Sequence, residues 1–151
     1  MKDKINVGFE LRRINLLFKK TINSIARRNG GSELTGMHMM LLGYLDKHSD
    51  REIYQKDIAR LFAIRNSTAT SLIQLMEKKG LIKRESVGKD ARLKKLLLTP
   101  EGAEISRNTK KEFDELNNEL LGCLTKEELD LFIGITDKFR KILIDYGGEN
   151  D

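Results

Sequence analysis

This 151-residue chain is poor in cysteine, proline and aromatic residues, and each shortage excludes something. Its single cysteine, Cys123, cannot close an internal disulfide, so no cross-linked scaffold is available. One proline, no tryptophan and 6% aromatics weigh against a β-sandwich and favour helices. No stretch approaches the ~20 consecutive apolar residues that span a bilayer, so no membrane role is expected. The first residues, MKDKINVGFELRR, hold no apolar signal core, and a cytoplasmic location is expected. His38 and His48 with one cysteine make no ligand set, so no metal is expected. Ser-His-Asp spacing and a Gly-rich phosphate loop are also missing. The pair Glu127-Glu128 sits at a helix start, where capping and the dipole account for it. The expectation is a protein that is not an enzyme and needs no cofactor.

What the chain does have is charge. Charged residues make up 34% and apolar residues 39%, enough for one compact, helix-rich unit with its own core. The net charge is +5, but it is unevenly placed. Between Lys78 and Lys95 the positive residues Lys78, Lys79, Lys83, Arg84, Lys89, Arg92, Lys94 and Lys95 face only Glu85 and Asp90. That segment carries +6 and the remainder −1. A basic block on a neutral body is the footprint of a polyanion partner, or else a plain lysine-rich surface.

Periodicity predicts six helices and a hairpin. Residues 3 to 28 carry Val7, Leu11, Ile14, Phe18, Ile22 and Ile25 at three- and four-residue steps, and Asn29, Gly30 and Gly31 stop them. Leu34 to Asp46 is so dense in apolar residues, Met37, Met39 and Met40 included, that burial on most sides is expected. Ile53 and Tyr54 suit a very short strand. Lys56 to Phe62 is a third helix, and a fourth begins near Asn66. The fourth places Ala69, Leu72, Ile73 and Met76 at i, i+3, i+4 and i+7, and Gly80 follows where a left-handed cap belongs. Two strands, Leu81 to Ser86 and Leu93 to Thr99, flank a Gly88-Lys89-Asp90 turn. Thr99-Pro100 opens a fifth helix with Ile105, Phe113, Leu116 and Leu120 on one side. Thr125 to Glu128 is a capping box before a last helix whose Phe132, Ile135, Phe139, Ile142 and Tyr146 form a heptad seam. The terminal seams are too long for one small core, so a homodimer built from the termini is expected.

Helix, break, helix, basic hairpin is the order of a winged helix-turn-helix. At 100° per residue, burying Ala69, Leu72, Ile73 and Met76 turns Ser67, Thr70, Ser71, Gln74 and Lys78 outward, with Thr68 on the flank. Such side chains suit a groove: Gln bonds adenine, hydroxyls donate or accept, and threonine methyls touch thymine. Arg65 and Asn66 stand at the helix start, where N–H groups favour a phosphate. On the hairpin, Lys83, Arg84, Lys89, Arg92, Lys94 and Lys95 repel one another unless an anion balances them. Asp90 can orient Arg92, and arginine suits a narrow minor groove. The plainer readings are a polar helix face and a surface ion pair.

The stretch Asp90-x-Arg92-x-x-x-Leu96-x-Leu98-Thr99-x-x-Gly102 resembles the wing signature of the MarR family of bacterial transcription regulators. So does Met76-Glu77-Lys78-Lys79-Gly80-Leu81-Ile82, while Leu34-Thr35 with Leu42 and Leu45, and Thr125-x-Glu127-Glu128, are similar to its second and last helices. The resemblance implies a mainly α winged helix-turn-helix with N- and C-terminal dimerisation helices: 1–31 and 103–151 for dimerisation, 32–102 for DNA. It implies a dimeric repressor or activator that reads double-stranded DNA, with the recognition helix in the major groove and Arg92 in the minor groove. It also implies a small aromatic ligand between the dimer helices and the winged lobe, where Phe18, His38 and Met39 are candidates, although close packing in a core is the favoured reading of Met37, His38, Met39 and Met40. Cys123 is expected to be a buried structural thiol. The alternative function is a winged module that scaffolds a protein partner.

Overall fold

The computed structural model describes residues 5–88 and 90–147, without the side chains of residues 90–92. The chain forms two compact units, Met1–Phe113 and Asp114–Asp151. The elements are α1 (Val7–Gly30), α2 (Gly36–Lys47), α3 (Gln55–Leu61), α4 (Asn66–Lys78), β1 (Ile82–Val87), β2 (Asp90–Leu98), α5 (Pro100–Gly122) and α6 (Lys126–Gly147).

Local chemistry sets most of these boundaries. α1 starts at Val7, later than the periodicity predicts, because the Asn6 side chain accepts the Phe9 N–H at 2.9 Å. Gly31, at φ +97°, ends it. α2 opens with a capping box in which His38 takes the place of the usual Glu or Gln: its Nδ1 accepts the Thr35 N–H at 3.0 Å. The turn between α3 and α4 contains Ala63 at φ +49°, a left-handed conformation that costs a residue with a Cβ. Gly80, at φ +71°, reverses the chain after α4 as expected, and the Leu81 N–H returns to the Met76 carbonyl at 3.0 Å.

The core of the first unit gathers Leu34, Leu41, Leu42 and Leu45 with Ile58, Leu72, Ile73, Met76, Leu81, Ile82 and Leu96. All four residues of the α4 stripe are buried, and the opposite side of that helix is left outward. β1 and β2 pair antiparallel from Ile82–Leu98 to Ser86–Lys94, with a register shift between Ser86 and Val87. β2 begins three residues before the predicted strand, since pairing continues to Asp90. Residues 53 and 54 form the expected third segment: Tyr54 bridges Lys95, and the Leu96 N–H donates to the Ile53 carbonyl at 2.7 Å.

Three packing expectations are corrected. Met37 and Met40 face outward, because α2 buries one broad face rather than its whole circumference. α5 meets the core through Gly102, Ser106 and Thr109, with Ile105 and Phe113 only partly buried. Thr109 can turn inward because its hydroxyl donates to the Met39 sulfur at 3.3 Å. Cys123 is exposed, its Sγ 3.1 Å from the Leu120 carbonyl, and so is not a buried thiol. In the second unit α6 buries no residue, and its seam positions Phe132, Ile135 and Ile142 are about half exposed.

The junction after the hairpin explains the Thr99-x-x-Gly102 pattern. The Thr99 hydroxyl lies 2.7 Å from the Gly80 carbonyl oxygen and accepts the Gly102 N–H at 3.1 Å. A Cβ on Gly102 would fall 2.1 Å from the Leu81 carbonyl oxygen, a backbone atom. Gly102→Ala should therefore destabilise the protein by about 1–3 kcal/mol, as overpacking does. Urea unfolding of the variant against wild type measures this, and an unchanged midpoint would refute the close approach.

Candidate nucleic-acid interface

The outward side of α4 follows from what it buries. With Ala69, Leu72, Ile73 and Met76 in the core, Asn66, Ser67, Thr68, Ser71, Gln74 and Lys78 are exposed, and Arg65 before the helix is exposed too. Arg65 is the N-cap residue without a side-chain cap bond, so the first turn has no capping side chain of its own. Thr70 differs from the rest. It is half-buried, its hydroxyl donates to the Asn66 carbonyl at 2.8 Å and accepts from the Gln55 amide at 2.7 Å. Ser71 likewise donates to the Ser67 carbonyl at 3.1 Å. Both hydroxyls are engaged with backbone, which leaves the Thr70 methyl, the remaining Ser71 lone pairs and the whole Gln74 amide to meet a ligand. The Gln55–Thr70 bond also ties the start of α3 to α4, a constraint that helical periodicity could not reveal.

The hairpin cations fall into two groups. Lys83 and Lys94 are exposed, with Lys83 4.0 Å from Glu85. Arg84 and Lys95 are half-buried midway along the hairpin and face carboxylates: Arg84 Nε lies 3.0 Å from Glu77, and Lys95 Nζ lies 3.6 Å from Glu85 and 3.8 Å from Glu52. The crowding of like charge is thus offset within the protein at that level. Arg84, expected at a DNA surface, is turned instead towards α4. Lys89 and the side chains of Asp90 and Arg92 lie outside the described residues.

The three residues expected to meet a small ligand do not converge. His38 and Met39 are buried, whereas Phe18 is about half exposed. Phe18 lines a cleft of about 430 Å³ with Asn15, Ile22, Thr35, Met37 and Met40. Met39 reaches a different cavity, of about 590 Å³, beside Asp46, Ser106, Thr109 and Phe113. Among the described residues no group of three or more His, Cys, Asp or Glu side chains is placed to hold a metal. Among the described residues no helix is long and apolar enough to cross a membrane.

The half-buried Glu112 and the buried His38 depart from their ordinary ionisation. The Glu112 carboxyl is held low by its bonds from Arg28 and Asn29, which join the end of α1 to α5. Burial, assisted by Lys79, lowers the His38 imidazole below 6.5.

A buried-stripe helix behind a tight turn, followed by a paired basic ribbon, defines the winged helix-turn-helix class. Residues 32–93 match the model of the MarR family, so the winged helix-turn-helix of this chain is similar to that family's. Among curated proteins, an HTH-type transcriptional regulator of Bacillus subtilis (strain 168), YdgJ, is 30% identical over 93 residues, 62% of this chain. The match spans 56% of that relative's length, so the chain covers little more than half of it. Among solved structures, the Staphylococcus aureus MepR–DNA complex superposes with a TM-score of 0.79 at 25% identity, over 93% of this chain and 100% of the other. The transcription regulator MarR from Oenococcus oeni PSU-1 gives 0.69 at 29% identity, over 90% and 99%.

The His38 cap makes stability depend on pH with a definite sign. In the fold Nδ1 must stay unprotonated to accept the Thr35 N–H. The unfolded chain therefore takes up a proton below about 6.5 that the folded chain resists, and stability falls as pH drops through that window. Glu112 acts in a separate window, below the ordinary carboxylate value of 4.5. The thermal midpoint should decline between pH 7 and 5.5, and His38→Gln, which keeps an acceptor for the cap, should flatten that decline. An identical decline in both proteins would contradict the assignment.

Proposed function

We propose that this chain is a homodimeric transcription regulator that binds duplex DNA, with α4 in the major groove and the hairpin in the minor groove of the flank. The observation that carries the reading is the outward side of α4: small polar side chains and one glutamine set directly opposite a fully buried stripe. Glu and Lys would dominate a merely solvated face. Short side chains let a helix approach base edges closely, and Gln74 can bond adenine N6 and N7. Arg65 and Asn66 suit a phosphate at the helix start, and Lys78, Lys83 and Lys94 suit the backbone beside it. Lys89 and the Arg92 side chain, which lie outside what the structure describes, remain part of the proposed wing by their place in the sequence. The MepR–DNA complex supports the reading by similarity of fold and sequence.

Dimerisation is supported by apolar surface that has no cover within its own unit. α1 leaves Val7, Leu11, Ile14 and Phe18 exposed, and α6 leaves Phe132, Ile135 and Ile142 exposed. A second copy, engaging residues 1–31 and 103–151, is the cover proposed for both. A palindromic operator follows from two-fold symmetry. A small aromatic ligand is the proposed signal, and the cleft beside Phe18, Met37 and Met40 has the apolar lining and the size for one.

Salt dependence tests the reading. A dimer touching roughly 6–10 phosphates should lose about 10³–10⁵ in affinity for a random duplex between 50 and 200 mM salt. A flat response would favour a protein-scaffolding module instead. Gln74→Ala should relax preference at one or two base pairs while changing non-specific affinity little. Uniform weakening across all sequences would show that α4 is oriented wrongly.

A further inference from the structure

We propose that the Arg84–Glu77 ion pair is a positioning device that fixes the basic hairpin against the recognition helix, and that Arg84 does not bind phosphate. The proposal rests on the DNA-binding reading above. Glu77 sits in the last turn of α4, next to the exposed Lys78 and three residues beyond Gln74. Arg84 sits in the middle of β1, opposite Leu96. The chain between them turns at Gly80, so α4 and β1 are joined by only three residues. Backbone bonds already hold this reversal, with the Leu81 N–H on the Met76 carbonyl and the Thr99 hydroxyl on the Gly80 carbonyl. The ion pair adds a tie further along the hairpin: Arg84 Nε is buried 3.0 Å from the Glu77 carboxylate, a contact of charge rather than an aligned hydrogen bond.

Three further observations favour an internal role. Both side chains are largely shielded, at 26% and 33% exposed, against 62% for Lys83 on the same strand. Shielded pairs are screened less by salt than surface pairs. The other strand is fastened at the same level: Lys95 lies between Glu85 and Glu52, and Leu96 is bonded to Ile53. The middle of the hairpin is therefore held on both strands, while Lys83 and Lys94 stay outward. Finally, an Arg84 that swung to a phosphate would leave the partly shielded Glu77 carboxylate without its paired charge. Arg84 is thus engaged within the protein.

The test exploits a difference of sign. Glu77→Gln removes a negative charge near DNA, and simple electrostatics would make binding tighter. If the pair positions the wing, Glu77→Gln should instead weaken duplex binding by about 3–10-fold, as should Arg84→Ala. The double variant should be no weaker than the worse single one. The slope of log affinity against log salt should match wild type in all three, because no phosphate contact is lost; a lost contact would lower it by about 0.9. Hydrogen exchange of the β1 amides, which needs no DNA, should accelerate in both single variants while α2 amides keep their wild-type rates. Should Arg84→Ala fold poorly, Glu77→Gln and Arg84→Gln carry the comparison. A lowered salt slope for the Arg84 variants, tighter or unchanged binding by Glu77→Gln, or unchanged β1 exchange overturns the proposal. A wild-type protein that ignores duplexes at low salt would sink the DNA reading instead, and the exchange rates would then decide the role of the pair.

Discussion

The arrangement of the first unit depends on burying one stripe of one helix. Ala69, Leu72, Ile73 and Met76 enter a core built from Leu34, Leu41, Leu42, Leu45 and Ile58, and water is excluded from all four. A helix is rigid, so fixing one side fixes the other. The position of Gln74 and its polar neighbours is a consequence of hydrophobic burial as much as of their own chemistry. The hairpin inherits the same frame through Leu81, Ile82 and Leu96, which share that core. Thr99 and Gly102 then join the return strand to α5 by contacts to the Gly80 and Leu81 carbonyl groups.

The second constraint is surface that the described residues leave uncovered. α6 is a 22-residue helix without a buried side chain, and α1 exposes apolar residues along much of its length. Surfaces of that kind mark interaction sites on soluble proteins. The proposed second copy would satisfy that constraint and would bring two copies of α4 to one duplex.

Most of the fold was legible because its main signals are periodic or stereochemical. The i, i+3, i+4, i+7 stripe of α4, the Gly80 reversal and the Thr99-Pro100 helix start all reappear in the structure. What hydropathy could not show is polar burial by specific bonds. His38 is buried as a capping residue, and Ser106 and Thr109 of α5 face inward although neither is apolar. Met37 and Met40 were placed inside on density alone, yet their angular positions on α2 turn them out. The site was legible as a composition but not as a set of partners. Charge counting treated Arg84 and Lys95 like Lys83 and Lys94. Only the three-dimensional placement of Glu77, across the Gly80 turn from Arg84, and of Glu52, far from Lys95 in sequence, separates the two groups. The bond between Gln55 and Thr70 was hidden for the same reason.

The central claim is that two copies of a buried-stripe helix present their polar sides to one duplex. Selection of bound duplexes from a random pool by the purified wild-type chain tests this most directly. The account predicts enrichment of a palindrome with half-sites about ten base pairs apart, centre to centre. Recovery of an unsymmetrical single site, or of no preferred sequence at any salt concentration, would contradict it.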